Sequence, residues 1–107
     1  MLHFALDYND LVIEFKRKIV LEGVPIMVTL LADKIYAIQD KCTHLGGSLS
    51  KGTVENTDVK CRLHGAKFDL KTGNVIDKAH VGFIKMPTKK AKVYRTEVID
   101  GKIFIEI

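Results

Sequence analysis

Cys42-Thr43-His44-Leu45-Gly46-Gly47 and Cys61-Arg62-Leu63-His64-Gly65-Ala66 are the two stretches on which the reading of this chain turns. Each pairs one thiol with one imidazole, and each runs into glycine after its histidine. Sixteen residues separate His44 from Cys61, so the pattern is Cys-x-His, a spacer, then Cys-x-x-His. Both cysteines and two of the four histidines of the protein are committed to it.

Thiolate is a soft ligand and imidazole a borderline one, so a Cys2His2 set suits zinc or an iron–sulfur centre. Zinc fingers usually group two cysteines at one end and two histidines at the other. Here each loop carries one ligand of each kind, an arrangement that can bridge two metal ions. Three plainer readings stand beside this one. A disulfide between the cysteines leaves both histidines without a role. A mononuclear structural zinc site uses all four residues. Two buried structural thiols with bystander histidines need no metal at all.

The segments CTHLGGSLSKG and CRLHGAKFDLKTGNV resemble the two cluster-binding loops of Rieske proteins, and the 107-residue length is similar to that of the small soluble Rieske-type ferredoxins. The resemblance covers about residues 22–107 and is tight at 41–52 and 61–75. It implies one Rieske-type [2Fe–2S] cluster, with Cys42 and Cys61 on the buried iron and His44 and His64 on the outer one. It also gives Gly46, Gly47 and Gly65 the task of letting backbone N–H groups approach the bridging sulfides. Respiratory members carry a further cysteine in each loop, joined as a disulfide, and a serine and a tyrosine whose hydroxyls reach cluster or ligand sulfur. This chain has Gly47 and Leu63 at the first two positions and Ala66 and Phe68 at the others. The resemblance therefore implies a low-potential member.

At 107 residues the chain is expected to be one domain, with a cluster-binding subdomain at about 41–80 inside it. Apolar residues make up 47% and charged residues 28%, the balance of a soluble globular protein. Gly23 to Ala32 is an uncharged stretch of ten residues, about half of what a membrane span needs. The opening MLHFALDYND has no basic segment and carries Asp7 and Asp10, so a signal peptide is not expected. These features predict a cytoplasmic protein without a membrane partner, and a monomer.

Charge is uneven along the chain. Residues 1–40 hold four basic and six acidic side chains, a net of −2. Residues 41–80 hold seven and four, a net of +3, and residues 81–107 hold six and three, again +3. The lysines are scattered among acids with no arginine-rich run, which argues against nucleic acid. An acidic protein partner is the sharper expectation.

Periodicity predicts an all-β chain, and with the resemblance it predicts a Rieske-like antiparallel β-sandwich. Leu11, Ile13 and Phe15 alternate with Val12, Glu14 and Lys16, the pattern of a half-buried strand. After a Glu22-Gly23 turn, Val24 to Leu31 is a nearly continuous apolar run that suits a strand covered on both faces, with Pro25 near its start. A turn at Ala32-Asp33-Lys34 returns the chain through Ile35 to Gln39, which delivers Cys42. Strands are expected at Thr53–Glu55 and Phe68–Leu70, with turns at 56–58 and 71–74. Tyr94 to Ile99, an Asp100-Gly101 turn of the I′ kind and a face of Ile103, Ile105 and Ile107 complete a hairpin. His3 and His80 sit at no ligand spacing and are expected to be bystanders. In the resemblance, residues 77–90 form the loop that shields the cluster, with Met86 and Pro87 as its covering residues.

A catalytic Rieske oxygenase needs a second site of two histidines and a carboxylate, and only His3 and His80 remain for it. No glycine fingerprint for a nicotinamide nucleotide is present either. The expected function is a non-enzymatic electron carrier between a reductase and a terminal oxygenase or other oxidoreductase. The alternatives are a Cys2His2 zinc-stabilised binding module and a fixed Rieske subunit of an oxidoreductase complex.

Overall fold

The computed structural model describes residues 1–43, 47–63 and 65–107. Its strands run in chain order as β1 Leu2–Asp7, β2 Lys16–Leu21, β3 Val24–Leu31, β4 Lys34–Gln39, β5 Thr53–Glu55, β6 Asp58–Lys60, β7 Lys67–Asp69, β8 Val75–Asp77, β9 His80–Val81, β10 Ile84–Lys85, β11 Val93–Tyr94, β12 Thr96–Ile99 and β13 Lys102–Glu106. One short helix, α1 Tyr8–Ile13, lies between β1 and β2. Among the described residues no helix is long and apolar enough to cross a membrane.

The uninterrupted apolarity of β3 has its explanation in the layering. β3 sits inside a four-stranded antiparallel sheet ordered β11-β4-β3-β2. Alternate side chains leave opposite faces of a strand. Ile26 and Val28, with Ala37 of β4, point into a core shared with Leu6, Leu11, Ile103 and Ile105. Met27 and Ile38 point the other way, into a second core that contains Cys42, Val59, Cys61, Phe68 and Leu70. Two further sheets, β1-β13-β12 and β5-β6-β7-β8, supply those two cores. The central sheet therefore separates a structural core from the one that houses the thiols.

Turn chemistry pins the registers. Consecutive positive φ angles occur at Glu22-Gly23 (50° and 76°), Ala32-Asp33 (48° and 63°) and Asp100-Gly101 (50° and 73°). Two such residues make the I′ turn whose twist matches a two-stranded hairpin, and these close β2–β3, β3–β4 and β12–β13.

Three expectations need correction. Residues 11–15 are not a strand, and only Lys16 joins β2: Leu11 is buried on α1, while Ile13 is 76% exposed. The Asp7 N–H donates to Asp10 Oδ2 at 3.3 Å, so a first-turn carboxylate starts a helix and overrides the alternation. The stretch 94–99 is broken at Arg95, because β11 pairs with β4 and β12 with β13. Ile103 and Ile105 are fully buried, but Ile107 lies beyond β13 and is exposed.

Candidate metal centre

Cys42 and Cys61 are both free thiols and both buried, at 3% and 1% exposure. Different elements deliver them. Cys42 follows the end of β4, and Cys61 follows the end of β6. The two loops close with the same bond: the Cys42 N–H donates to the Gly47 carbonyl oxygen at 2.6 Å, and the Cys61 N–H donates to the Ala66 carbonyl oxygen at 2.7 Å. In each case the cysteine bonds to the fifth residue after it, so each loop, or lobe, is drawn together at its base.

The lobes lean on each other. A Cβ built on Gly47 would lie 2.8 Å from Leu63 Cδ1 and 3.5 Å from Cys61 Sγ. The positions that the resemblance pairs with a disulfide are thus neighbours here. Burial pushes the Cys61 thiol above its usual range. The Leu63 backbone N–H opposes this, and the adjacent Cys42 thiol, within hydrogen-bonding reach, adds to it. A neutral thiol pair in an apolar pocket gives up its protons when it meets a metal.

His44 and His64, with Leu45 and Gly46, lie outside the described residues. Among the described residues no group of three His, Cys, Asp or Glu is gathered at one point. What the structure places is two adjacent buried thiols at the bases of two like loops, with Gly47 beside Cys61. That arrangement fits the thiolate iron of a Rieske-type [2Fe–2S] cluster.

Side chains around the lobes hold them to the rest of the protein. The Thr43 Oγ1 hydroxyl donates to the Lys89 carbonyl oxygen at 2.6 Å. Gln39 Nε2 donates to the Lys41 carbonyl oxygen at 2.6 Å, while Gln39 Oε1 accepts from the Lys92 N–H at 2.7 Å. Met86 packs on the core that contains both cysteines, and its N–H donates to the Ala79 carbonyl oxygen at 2.7 Å. The segment 77–90 is not one open loop: β9 and β10 form a small hairpin inside it, with Phe83 fully exposed at its tip.

Two residues near the lobes carried no sequence signal. His80 stands against the second lobe, 3.0 Å by its Cε1 from the position of a Cβ on Gly65, and lines an open cavity of about 370 Å³ with Thr53, Lys60, Cys61 and Arg62. Fifteen residues part His80 from the nearest candidate ligand, His64, so no local spacing marks it. Asp40 is 2% exposed and bonds across the first lobe; an aspartate two places before a cysteine is otherwise unremarked. His3, by contrast, is on β1 with Nδ1 3.6 Å from Glu22 Oε1, a local pair as expected.

Comparison with known proteins agrees with this geometry. The family model for the Rieske [2Fe–2S] domain matches residues 4–88. The chain is 33% identical over 88 residues to Ferredoxin CarAc of Metapseudomonas resinovorans, covering 78% of this chain and 71% of that one. It is 30% identical over 83 residues to the anthranilate 1,2-dioxygenase ferredoxin subunit of Burkholderia cepacia, covering 78% and 70%. A solved complex of reduced oxygenase and oxidized ferredoxin in carbazole 1,9a-dioxygenase contains a chain that superposes with a TM-score of 0.79 at 27% identity, covering 97% of this chain and 91% of that one. The same fold also occurs inside longer chains, of which this protein spans 33%.

Proposed function

The chain belongs to the Rieske [2Fe–2S] domain family, and on that premise we propose that it is a ferredoxin that passes single electrons from a reductase to a terminal oxygenase. The observation that carries this reading is the pair of buried, adjacent, unbridged thiols at the bases of two loops closed by the same cysteine-to-fifth-residue bond. Cys42 and Cys61 would hold one iron, and His44 and His64 the other. The cluster, when bound, supplies one-electron redox chemistry at a fixed position.

The chain's own residues do the rest. The two loops and the β5–β8 sheet form the cluster-binding subdomain, residues 41–80, within a single domain. Met86 and its segment exclude water from the thiol side, since that side is continuous with the apolar core. Lys41, Lys51, Arg62 and the apolar Leu63 are exposed on the described parts of the two loops and beside them. A partner with a carboxylate-bearing face would be drawn to this end, because complementary charge mainly raises the rate of encounter. The protein acts as a monomeric carrier, and substrate chemistry belongs to the partner. The relatives' names point to oxygenases that act on aromatic compounds, and this is the class of partner proposed.

Coulometric reduction of the purified holoprotein tests the reading. One electron per chain, with bleaching of a red-brown visible spectrum, is the expected result. A colourless protein that takes up no electron and holds one zinc per chain would replace the carrier by a zinc-stabilised module.

A further inference from the structure

We propose that Asp40 is the positioning residue of the first ligand loop, and that its buried carboxylate both clasps that loop and holds the centre at low potential. The inference rests on the cluster reading above and deepens it.

Asp40 stands between β4 and Cys42 and uses every polar group it has. Its N–H donates to the Pro25 carbonyl oxygen at 3.0 Å, which continues the β3–β4 ladder. Its carbonyl oxygen accepts from the Leu49 N–H at 2.6 Å. Carboxylate Oδ1 accepts from the Ser50 N–H at 2.7 Å, and Oδ2 accepts from the Ser48 hydroxyl at 2.5 Å. The Ser48 and Ser50 hydroxyl oxygens are themselves 2.8 Å apart. One residue before the loop thus binds three consecutive residues after it.

The second lobe shows why such a clasp is needed. It is flanked by regular strands, with Lys60 of β6 opposite Lys67 of β7 and Val59 opposite Phe68. The residue two places before Cys61 is Val59, fully buried and apolar, and the ladder alone holds that loop shut. The first loop has only an isolated bridge between Lys41 and Ser48. Asp40 supplies by side chain what β6 and β7 supply by backbone.

A neutral acceptor would suffice for closure, yet the group is a carboxylate at 3% side-chain exposure. Burying a charge costs several kcal/mol unless it is compensated. A cation near it, Lys18 Nζ, is 3.7 Å from Oδ2 and itself half exposed. That charge meets two hydrogen-bond donors and one half-exposed ammonium group, and it lies two residues from Cys42. An added electron on the centre is disfavoured by such a charge, so its presence lowers the midpoint potential.

The test uses holoprotein and three samples. Native protein is first checked for a Rieske EPR and visible CD spectrum; failure there defeats the cluster reading, not the role of Asp40. Asp40→Asn keeps an amide oxygen for the clasp and removes the charge. It is expected to retain the cluster spectrum and to gain about tenfold in the reduction equilibrium constant, a rise of about 59 mV. Asp40→Ala removes clasp and charge, and is expected to lose cluster to a chelator at least ~10-fold faster than native, with Asp40→Asn between them. An unchanged midpoint in Asp40→Asn overturns the proposal, and so does a native rate of cluster loss in Asp40→Ala. If the alanine variant does not fold, the asparagine midpoint decides.

Discussion

Thr43 Oγ1 donates to the carbonyl oxygen of Lys89 across 46 residues of sequence, at 2.6 Å. The bond joins the first ligand loop directly to the segment that follows β10, so the cover over the thiols and one of the loops it covers are a single mechanical unit. Thr43→Val keeps the shape and removes the donor. A typical hydrogen bond contributes about 1 kcal/mol net, and that loss is expected in the thermal stability of the holoprotein. Hydrogen exchange should rise at Lys89 to Lys92 and not on β12 or β13, which lie on the other side of the central sheet. Uniform exchange in both regions would show that the tie is not the fastening of the cover.

The glycines separate into those that are needed and those that are not. A Cβ on Gly52 would stand 2.0 Å from the Lys60 carbonyl oxygen, and one on Gly73 would stand 1.9 Å from the Ala91 carbonyl oxygen with φ at +79°. Both clashes are with backbone. Gly47→Ala presses on the Leu63 side chain, with Cys61 Sγ in ordinary contact at 3.5 Å, and Leu63 is 40% exposed and can turn away. Gly52→Ala and Gly73→Ala are expected to cost about 1–3 kcal/mol or more of stability, and Gly47→Ala less than about 1 kcal/mol. Chemical denaturation of the three variants checks the order.

The two buried cysteines, the central strands and the hairpin turns could be read from the chain because each rests on a local signal. Ligand spacing names Cys42 and Cys61, continuous apolarity names β3, and Asp100-Gly101 names a turn. Asp40 and His80 were not readable, because their importance arises from neighbours that only the folded chain brings up: Ser48 and Ser50 for one, Gly65 for the other. Residues 11–16 misled for a different reason. Their alternation is real, but the capping exchange between Asp7 and Asp10 is a shorter-range interaction, and it set the backbone first. The break at Arg95 has no local mark, since β11 and β12 differ only in which sheet they join.

Tyr94 gives the stability an alkaline limit. Burial pushes its phenol above the usual value of 10.0, while Lys92 Nζ stands 5.1 Å from the ring centre. The folded protein then holds the phenolic proton more tightly than the unfolded chain does. Stability from this source is complete below about pH 10 and is lost as pH rises through the folded value. Tyr94→Phe should flatten that decline above about pH 10, as followed by denaturant midpoints. An equal slope in both proteins would assign the alkaline limit to other groups.

The potential should lie low. Ala66 and Phe68 are both fully buried beside Cys61, and neither has a hydroxyl to offer sulfur. A midpoint in the lower part of the Rieske range of about −150 to +300 mV is expected. Ala66→Ser should raise it by roughly 40 mV if the new hydroxyl favours the reduced state by about 1 kcal/mol, at about 59 mV per tenfold. A native midpoint near the top of that range, or a fall in Ala66→Ser, would contradict this.

The central claim is that His44 and His64 complete the ligand set begun by Cys42 and Cys61. Pulsed EPR on reduced protein carrying nitrogen-15 only in histidine addresses it directly. Two strongly coupled histidine nitrogens are predicted in the native protein, with the pattern unchanged in His3→Gln and in His80→Gln. Absence of strongly coupled histidine nitrogen, or loss of one coupling in His80→Gln, would contradict the assignment.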